Sequence, residues 1–167
     1  MANFEFNEEA FIAAATTSEV GSTKAKLPPE GDYPAVVSDF QVKSGVIGKG
    51  KNIGKPWVSF VYKLEFTDER VTSVTGISPT VRSYSIFLDL TEDSTFENAK
   101  PDFREGRNLQ FQRFRAAVGL NEPGVEFNPR MPVGRGLLAK ISWIPKKDAT
   151  DPTERVADIT GVAKLPS

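Results

Sequence analysis

The sequence predicts a mostly β domain of five strands, with one helix between the third and fourth and an arm at the N-terminus. Three observations carry this. Phe occurs 12 times and Pro 12 times against two Met, a balance that favours short strands and frequent turns over long helices. Residues 57–66 alternate between large apolar positions and smaller or charged ones, the period of a half-buried strand. The apolar runs follow in the order strand, strand, strand, helix, strand, strand. A chain of 167 residues suits one domain able to bury a core without staples.

Residues 1–26 read as the arm. Asn7 can cap a short helix reaching Ala15, with Glu8 and Glu9 in its first turn and Phe11, Ile12 and Ala15 on one face. The Ser/Thr/Lys/Gly-rich stretch that follows reads as linker. The domain is expected over residues 27–167. Its first strand, Asp32–Lys43, is expected to turn Val36, Phe40 and Val42 inward, with Ser38 as the exception on that face. In the second, Trp57–Phe66, the residues Val58, Phe60, Tyr62, Leu64 and Phe66 form a core face. Trp57, Ser59, Val61, Lys63 and Glu65 form a solvent or ligand face. Asp68–Pro79 reads as a polar connection, Val81–Leu90 as the third strand and Thr91–Pro101 as an acidic loop. Phe103–Val118 fits a helix with a stripe of Phe111, Phe114, Ala117 and Val118, stopped by Gly119. Gly136–Ile144 and Val156–Leu165 complete the strands, with Leu137, Ala139, Ile141 and Trp143 turned inward. This order matches an OB-like Greek-key barrel, partly closed, and other five-stranded barrels would give a similar pattern. Closure would also cover the strand edges.

Composition narrows the chemistry. There is no Cys and no His, which removes disulfides, thiolate and imidazole metal ligands, cysteine nucleophiles and the usual general base. An enzyme is therefore not expected, and neither is a cofactor. Asp89, Glu92 and Asp93 cluster loosely and read as an acidic surface loop rather than a hard-metal site. The formal net charge of −1 does not coat nucleic acid by bulk charge, so any such binding needs a local basic face. No run of 18 apolar residues is present and the first residues do not read as a secretory signal, so the expected compartment is the cytoplasm.

The segment from Lys43 to Pro56 carries Lys43, Lys49, Lys51 and Lys55, four glycines and no acid. Gly45, Gly50 and Lys51 fall near the spacing of an NTPase phosphate loop. Asn52 stands where Ser or Thr should meet Mg²⁺, and Gly54 and Pro56 prevent a following helix, so that reading fails. What remains is a cationic loop between the first two strands, weighed against a solvated hairpin kept soluble by lysine. Aromatics interleave with cations nearby: Trp57 lies between Lys55 and Lys63, and Tyr84 follows Arg82. Lys140 lies on the strand face opposite Trp143, which is expected in the core. A base can stack on Trp57 or Tyr84 while neighbouring cations hold the phosphates, and for each ring the alternative is plain coverage of the barrel. The candidate site is thus Lys43, Lys49, Lys51, Lys55, Trp57, Lys63, Arg82, Tyr84 and Lys140.

Leu27–Val37 and the Gly/Lys loop come first, then Glu105–Leu109 leading into Phe111–Gly119, then Gly134–Ile141 and Ala157–Val162. In this order and spacing the chain resembles the small OB-fold single-stranded-DNA-binding proteins encoded by many bacteriophages. The resemblance covers residues 27–165 and implies sequence-tolerant binding of single-stranded DNA in phage-type replication or recombination, in the host cytoplasm. Such proteins often end in an acidic tail, whereas this sequence ends Val162-Ala-Lys-Leu-Pro-Ser167. The acidic arm, with Phe4, Phe6, Phe11 and Ile12, is expected to meet a second copy or a replication partner instead. The rival reading is a non-enzymatic virion component, such as a capsid decoration or tail protein.

Overall fold

The computed structural model describes residues 6–17, 26–124 and 126–166. Its elements are α1 (Glu8–Thr17), β1 (Gly31–Val46), β2 (Pro56–Phe66), α2 (Glu69–Thr75), β3 (Thr80–Phe87), α3 (Leu109–Ala117), β4 (Gly136–Pro145) and β5 (Arg155–Ala163). The five strands form one antiparallel sheet in the order β3-β2-β1-β4-β5. The first part of β1 pairs with β4 and the second part with β2, so this strand joins the two halves of the sheet.

The sheet is not closed into a barrel: β3 and β5 are its ends and share no ladder. They do face each other. Arg82 and Ser83 of β3 and Asp158 and Ile159 of β5 line one small cavity of about 40 Å³, together with Pro28 and with Val71 and Thr75 of α2. The seam between the end strands is therefore lined by side chains rather than bridged by backbone hydrogen bonds.

The inward residues of β1 differ from the expectation. Val42 lies across from Phe60 on the inward side, as expected, yet is about half exposed. Earlier in the strand Tyr33, Ala35 and Val37 are buried, whereas Val36 is about half exposed. The cause of that exchange is a bulge. Val37 pairs with Leu64 and Asp39 with Lys63, so Ser38 is an extra residue and the inward parity changes from odd to even before Phe40. The Ser38 hydroxyl donates to the Lys63 carbonyl at 3.3 Å, and the Asp39 carboxylate accepts from the Phe40 N–H at 2.8 Å.

The residues 68–79 contain α2, where only a polar connection is expected. Asp68 caps it, accepting from the Arg70 backbone N–H at 2.9 Å, and Gly76 ends it at φ +72°. The helix before β4 is shorter than expected because Asn108, at φ +53°, holds a left-handed conformation just ahead of Leu109.

Aromatic rings dominate the core. Tyr62 packs on Phe114 with centroids 4.3 Å apart and on Phe40 at 5.0 Å, and Tyr84 reaches Phe114 at 6.0 Å. The Tyr62 hydroxyl donates to the Pro129 carbonyl at 2.8 Å, and burial pushes its ionisation well above the ordinary range. Phe114 is fully buried, and truncating a ring so placed costs about 3–5 kcal/mol. Trp143 is not in this core. It stands 45% exposed beyond the last buried position of β4, with its indole N–H donating to the Pro28 carbonyl at 2.8 Å.

Candidate nucleic-acid interface

The register places three sequence-predicted residues on the face of β2 opposite Tyr62 and Leu64, made of Trp57, Ser59, Val61 and Lys63. Against the expectation of a solvent face, Ser59 and Val61 are buried, Trp57 is half-buried and only Lys63 is exposed. Gly45 lies across from Trp57, Lys43 across from Ser59, and Asp39 across from Lys63 on β1. On the other side, Phe87 lies across from Ser59 and Ser83 across from Lys63. Lys43, Trp57 and Lys63 therefore share this face with Phe87, a residue absent from the sequence-derived site.

Trp57 and Phe87 form its aromatic centre. Their ring centroids are 5.9 Å apart at 57°, and Phe87 is 64% exposed. The indole lies flat over Gly45: a Cβ there would come within 2.7 Å of the indole nitrogen, so only glycine permits this close approach. Beneath the pair, Ser59 is buried and its hydroxyl has no hydrogen-bond partner among the described residues. Such a group carries an uncompensated desolvation cost of about 1–3 kcal/mol.

The lysine loop is folded back on itself. Ile47 N–H donates to the Lys55 carbonyl at 2.9 Å, and Gly54 N–H to the Ile47 carbonyl at 2.8 Å. Gly50 and Gly54 sit at φ +88° and +85°, which an L side chain would strain. Lys49, Lys51 and Lys55 are exposed on this turn. Between the turn and the chain following β3 runs a groove of about 430 Å³, lined by Lys55, Trp57, Phe87, Arg104 and Arg107 and also by the acidic Asp89, Glu92 and Asp102.

The second wall is built by a buried asparagine. The Asn108 amide oxygen accepts from Asp89 N–H at 2.7 Å, and its amide nitrogen donates to the carbonyls of Asp89 at 3.0 Å and Asp102 at 2.8 Å. This fixes Asp102, whose carboxylate binds Arg104 at 2.7 Å and Arg107 at 3.7 Å. Hydrogen bonds from the Arg104 guanidinium lead the causes that lower the Asp102 ionisation to about 2. The two arginines are thus positioned at the groove but partly neutralised. Read from sequence, Arg104 and Arg107 stand against Asp102 and Glu105 as a solvated helix face with local ion pairs; the pairs to Asp102 are there, whereas the Asn108–Asp89 contacts span 19 residues and leave no local signal.

The remaining predicted residues lie elsewhere. Tyr84 is buried, since its pairing with Tyr62 points it at the core, and its hydroxyl accepts from the Gln110 amide at 3.2 Å. It therefore offers no stacking surface. Arg82 pairs across from Leu64 and lines the cavity between β3 and β5. Lys140 is exposed across from Asp32 near the start of β1, far along that strand from Gly45. Among the described residues no group of three or more acidic side chains is placed to hold a metal ion, and no helix is long and apolar enough to cross a membrane. Phe4 lies outside the described residues, while Phe6, Phe11 and Ile12 are exposed.

Neither a family model nor a curated protein matches the chain.

Proposed function

We propose that this chain is a sequence-tolerant single-stranded-DNA-binding protein of the bacteriophage type, acting in replication or recombination in the host cytoplasm without catalysis. The observation that carries the reading is the outward Trp57–Phe87 pair beside a folded turn bearing Lys49, Lys51 and Lys55. Bases stack on exposed rings without regard to sequence, and lysines neutralise the phosphates between them. The strand order supports an OB-like barrel as the frame: β3-β2-β1-β4-β5 is the order of such a barrel opened between its third and fifth strands. OB folds take oligonucleotides on the faces of strands 2 and 3 and beside the loop joining strands 1 and 2, which is where this site lies.

Titrating a labelled oligo-dT at low and moderate salt tests this. Binding is expected at low salt and a steep loss at moderate salt as counterions compete. Changing Lys49, Lys51 and Lys55 together to alanine lowers the slope of log affinity against log salt by about 2, at roughly 0.7 per phosphate contact on a single strand. No binding at low salt sinks the proposal.

A second reading, a virion structural component, is favoured by the near-neutral net charge and by the exposed Phe6 ahead of α1 and Phe11 and Ile12 on it. It calls for co-purification with particles and no affinity for the oligonucleotide.

A further inference from the structure

The helix α1 presents an apolar knob on an acidic segment. Phe6 and Phe11 touch, with centroids 5.4 Å apart at 53°, yet they are 73% and 62% exposed. The Asn7 side chain accepts from the Ala10 N–H at 3.0 Å, so the turn that brings these rings together is fixed by a cap. Two exposed rings packed on each other leave their outer faces in water, a costly arrangement for a surface with no partner. Residues 1–17 contain Glu5, Glu8 and Glu9 and no Lys or Arg.

A pocket of complementary character lies on the body. It measures about 430 Å³ and is walled by Phe60, Phe111, Phe127 and Pro129, with Phe103 at its lip and Arg115 beside it. Phe111 meets Phe60 and Phe127 edge-on, each with centroids 5.4 Å apart, leaving an aromatic cleft rather than a filled core. Phe103 is 68% exposed. The chain around it is basic: residues 100–115 hold Lys100, Arg104, Arg107, Arg113 and Arg115 against Asp102 and Glu105. The Arg115 guanidinium lies 4.2 Å from the Phe127 ring centroid, so a cation already sits at the mouth.

We propose that the arm of one copy seats its Phe6–Phe11 knob in the Phe103–Phe127 pocket of a second copy. Aromatic anchors fill an aromatic cleft, and Glu8 and Glu9 come to face the arginines around it. Knob and pocket are different surfaces, so the contact is heterologous and repeats head to tail. On a single strand such a repeat gives cooperative coverage, and only that purpose rests on the DNA-binding reading. The association itself is measured without DNA, so the two fail separately.

The test uses the full chain. Sedimentation is followed against protein concentration at low and high salt, with Phe11→Ala, Phe103→Ser and an equal mixture of the two. Both rings are exposed, so both variants should melt with the wild type. The wild type should self-associate, less so at high salt, and each variant should need about tenfold more protein to do the same. The mixture is diagnostic. Phe11→Ala keeps an intact pocket and Phe103→Ser an intact arm, so mixing restores one contact and yields heterodimers. A wild type that stays monomeric at every concentration overturns the proposal, as do variants that associate like the wild type or a mixture that remains monomeric.

Discussion

The two tryptophans stand toward opposite ends of β1, Trp143 exposed and Trp57 half-buried, and they are held in different ways. Trp143, near the start of the strand, is tied down: its indole N–H donates to the Pro28 carbonyl and its backbone N–H to the Glu30 carboxylate at 3.1 Å. Trp57, near the far end, makes a ring contact with Phe87, lies over Gly45, and has no hydrogen-bond partner for its indole N–H among the described residues. One ring has spent its polar group on the fold, and the other keeps its polar group and an aromatic neighbour at the surface. Exposure alone does not separate a structural tryptophan from a binding one; the fate of the indole N–H does.

The largest effect expected from this contrast is on DNA binding by Trp57→Ala. Loss of one stacking platform weakens oligo-dT binding by about 1–3 kcal/mol, roughly 5- to 150-fold, with little change in salt slope. A variant that folds and binds like the wild type removes Trp57 from the site. Gly45→Ala sharpens the same point without touching an aromatic residue. The added methyl lifts the indole from its seat, so affinity should fall by about three- to tenfold and the tryptophan emission should shift. Unchanged emission and affinity would mean that the seat does not matter.

Trp143→Phe should act on the other side of the comparison. It removes one hydrogen bond and leaves the ring, costing about 1 kcal/mol of stability, or about 2–4 °C in melting temperature, at unchanged DNA affinity. The smallest effect concerns acid. Asp102 ionises at about 2 in the fold, below its ordinary value near 3.9, so its contribution to stability is complete above pH ~4 and disappears as pH falls through about 2. The arginine wall beside Trp57 should therefore persist at pH 4, and a carboxyl titration followed by NMR should place the Asp102 midpoint below that of a free aspartate.

What was legible in the sequence follows from how local each cause is. The alternation of β2 identifies Tyr62, Leu64 and Phe66 as core because one face of an unbroken strand meets one environment. Strand β1 defeats the same reasoning, since a single inserted residue changes parity; the polar Ser38 breaks the alternation in the sequence, but a break alone does not say that the face changes there. Helix α2 is signalled by Asp68 and Gly76, a cap and a stop with seven residues between them that a polar composition obscures. Trp143 was assigned to the core because alternation was carried past the strand's last buried residue. At the site, Lys43, Trp57 and Lys63 follow from periodicity, whereas Phe87 needs the β2–β3 register, a long-range fact that no short window of sequence contains. The pairing of Arg104 and Arg107 with Asp102 is local, and only the Asn108–Asp89 contacts that hold this segment against the chain after β3 are not.

The bulge at Ser38 also determines which kinds of genetic change the chain tolerates. Strand β1 works as two reading frames joined by one extra letter. Substituting that letter leaves both frames intact, so many residues should serve at position 38. Deleting it closes the ladder up: Val37 still meets Leu64 and Asp39 still meets Lys63, now in unbroken succession, so Tyr33, Ala35, Val37 and Phe40 all stay inside and Lys43 keeps the Trp57 face. Deleting a paired residue such as Gln41 instead turns either Phe40 outward or Lys43 inward. The chain is thus permissive toward both spelling and length at this one position, so a one-codon deletion at Ser38 should harm it far less than a one-codon deletion at Gln41.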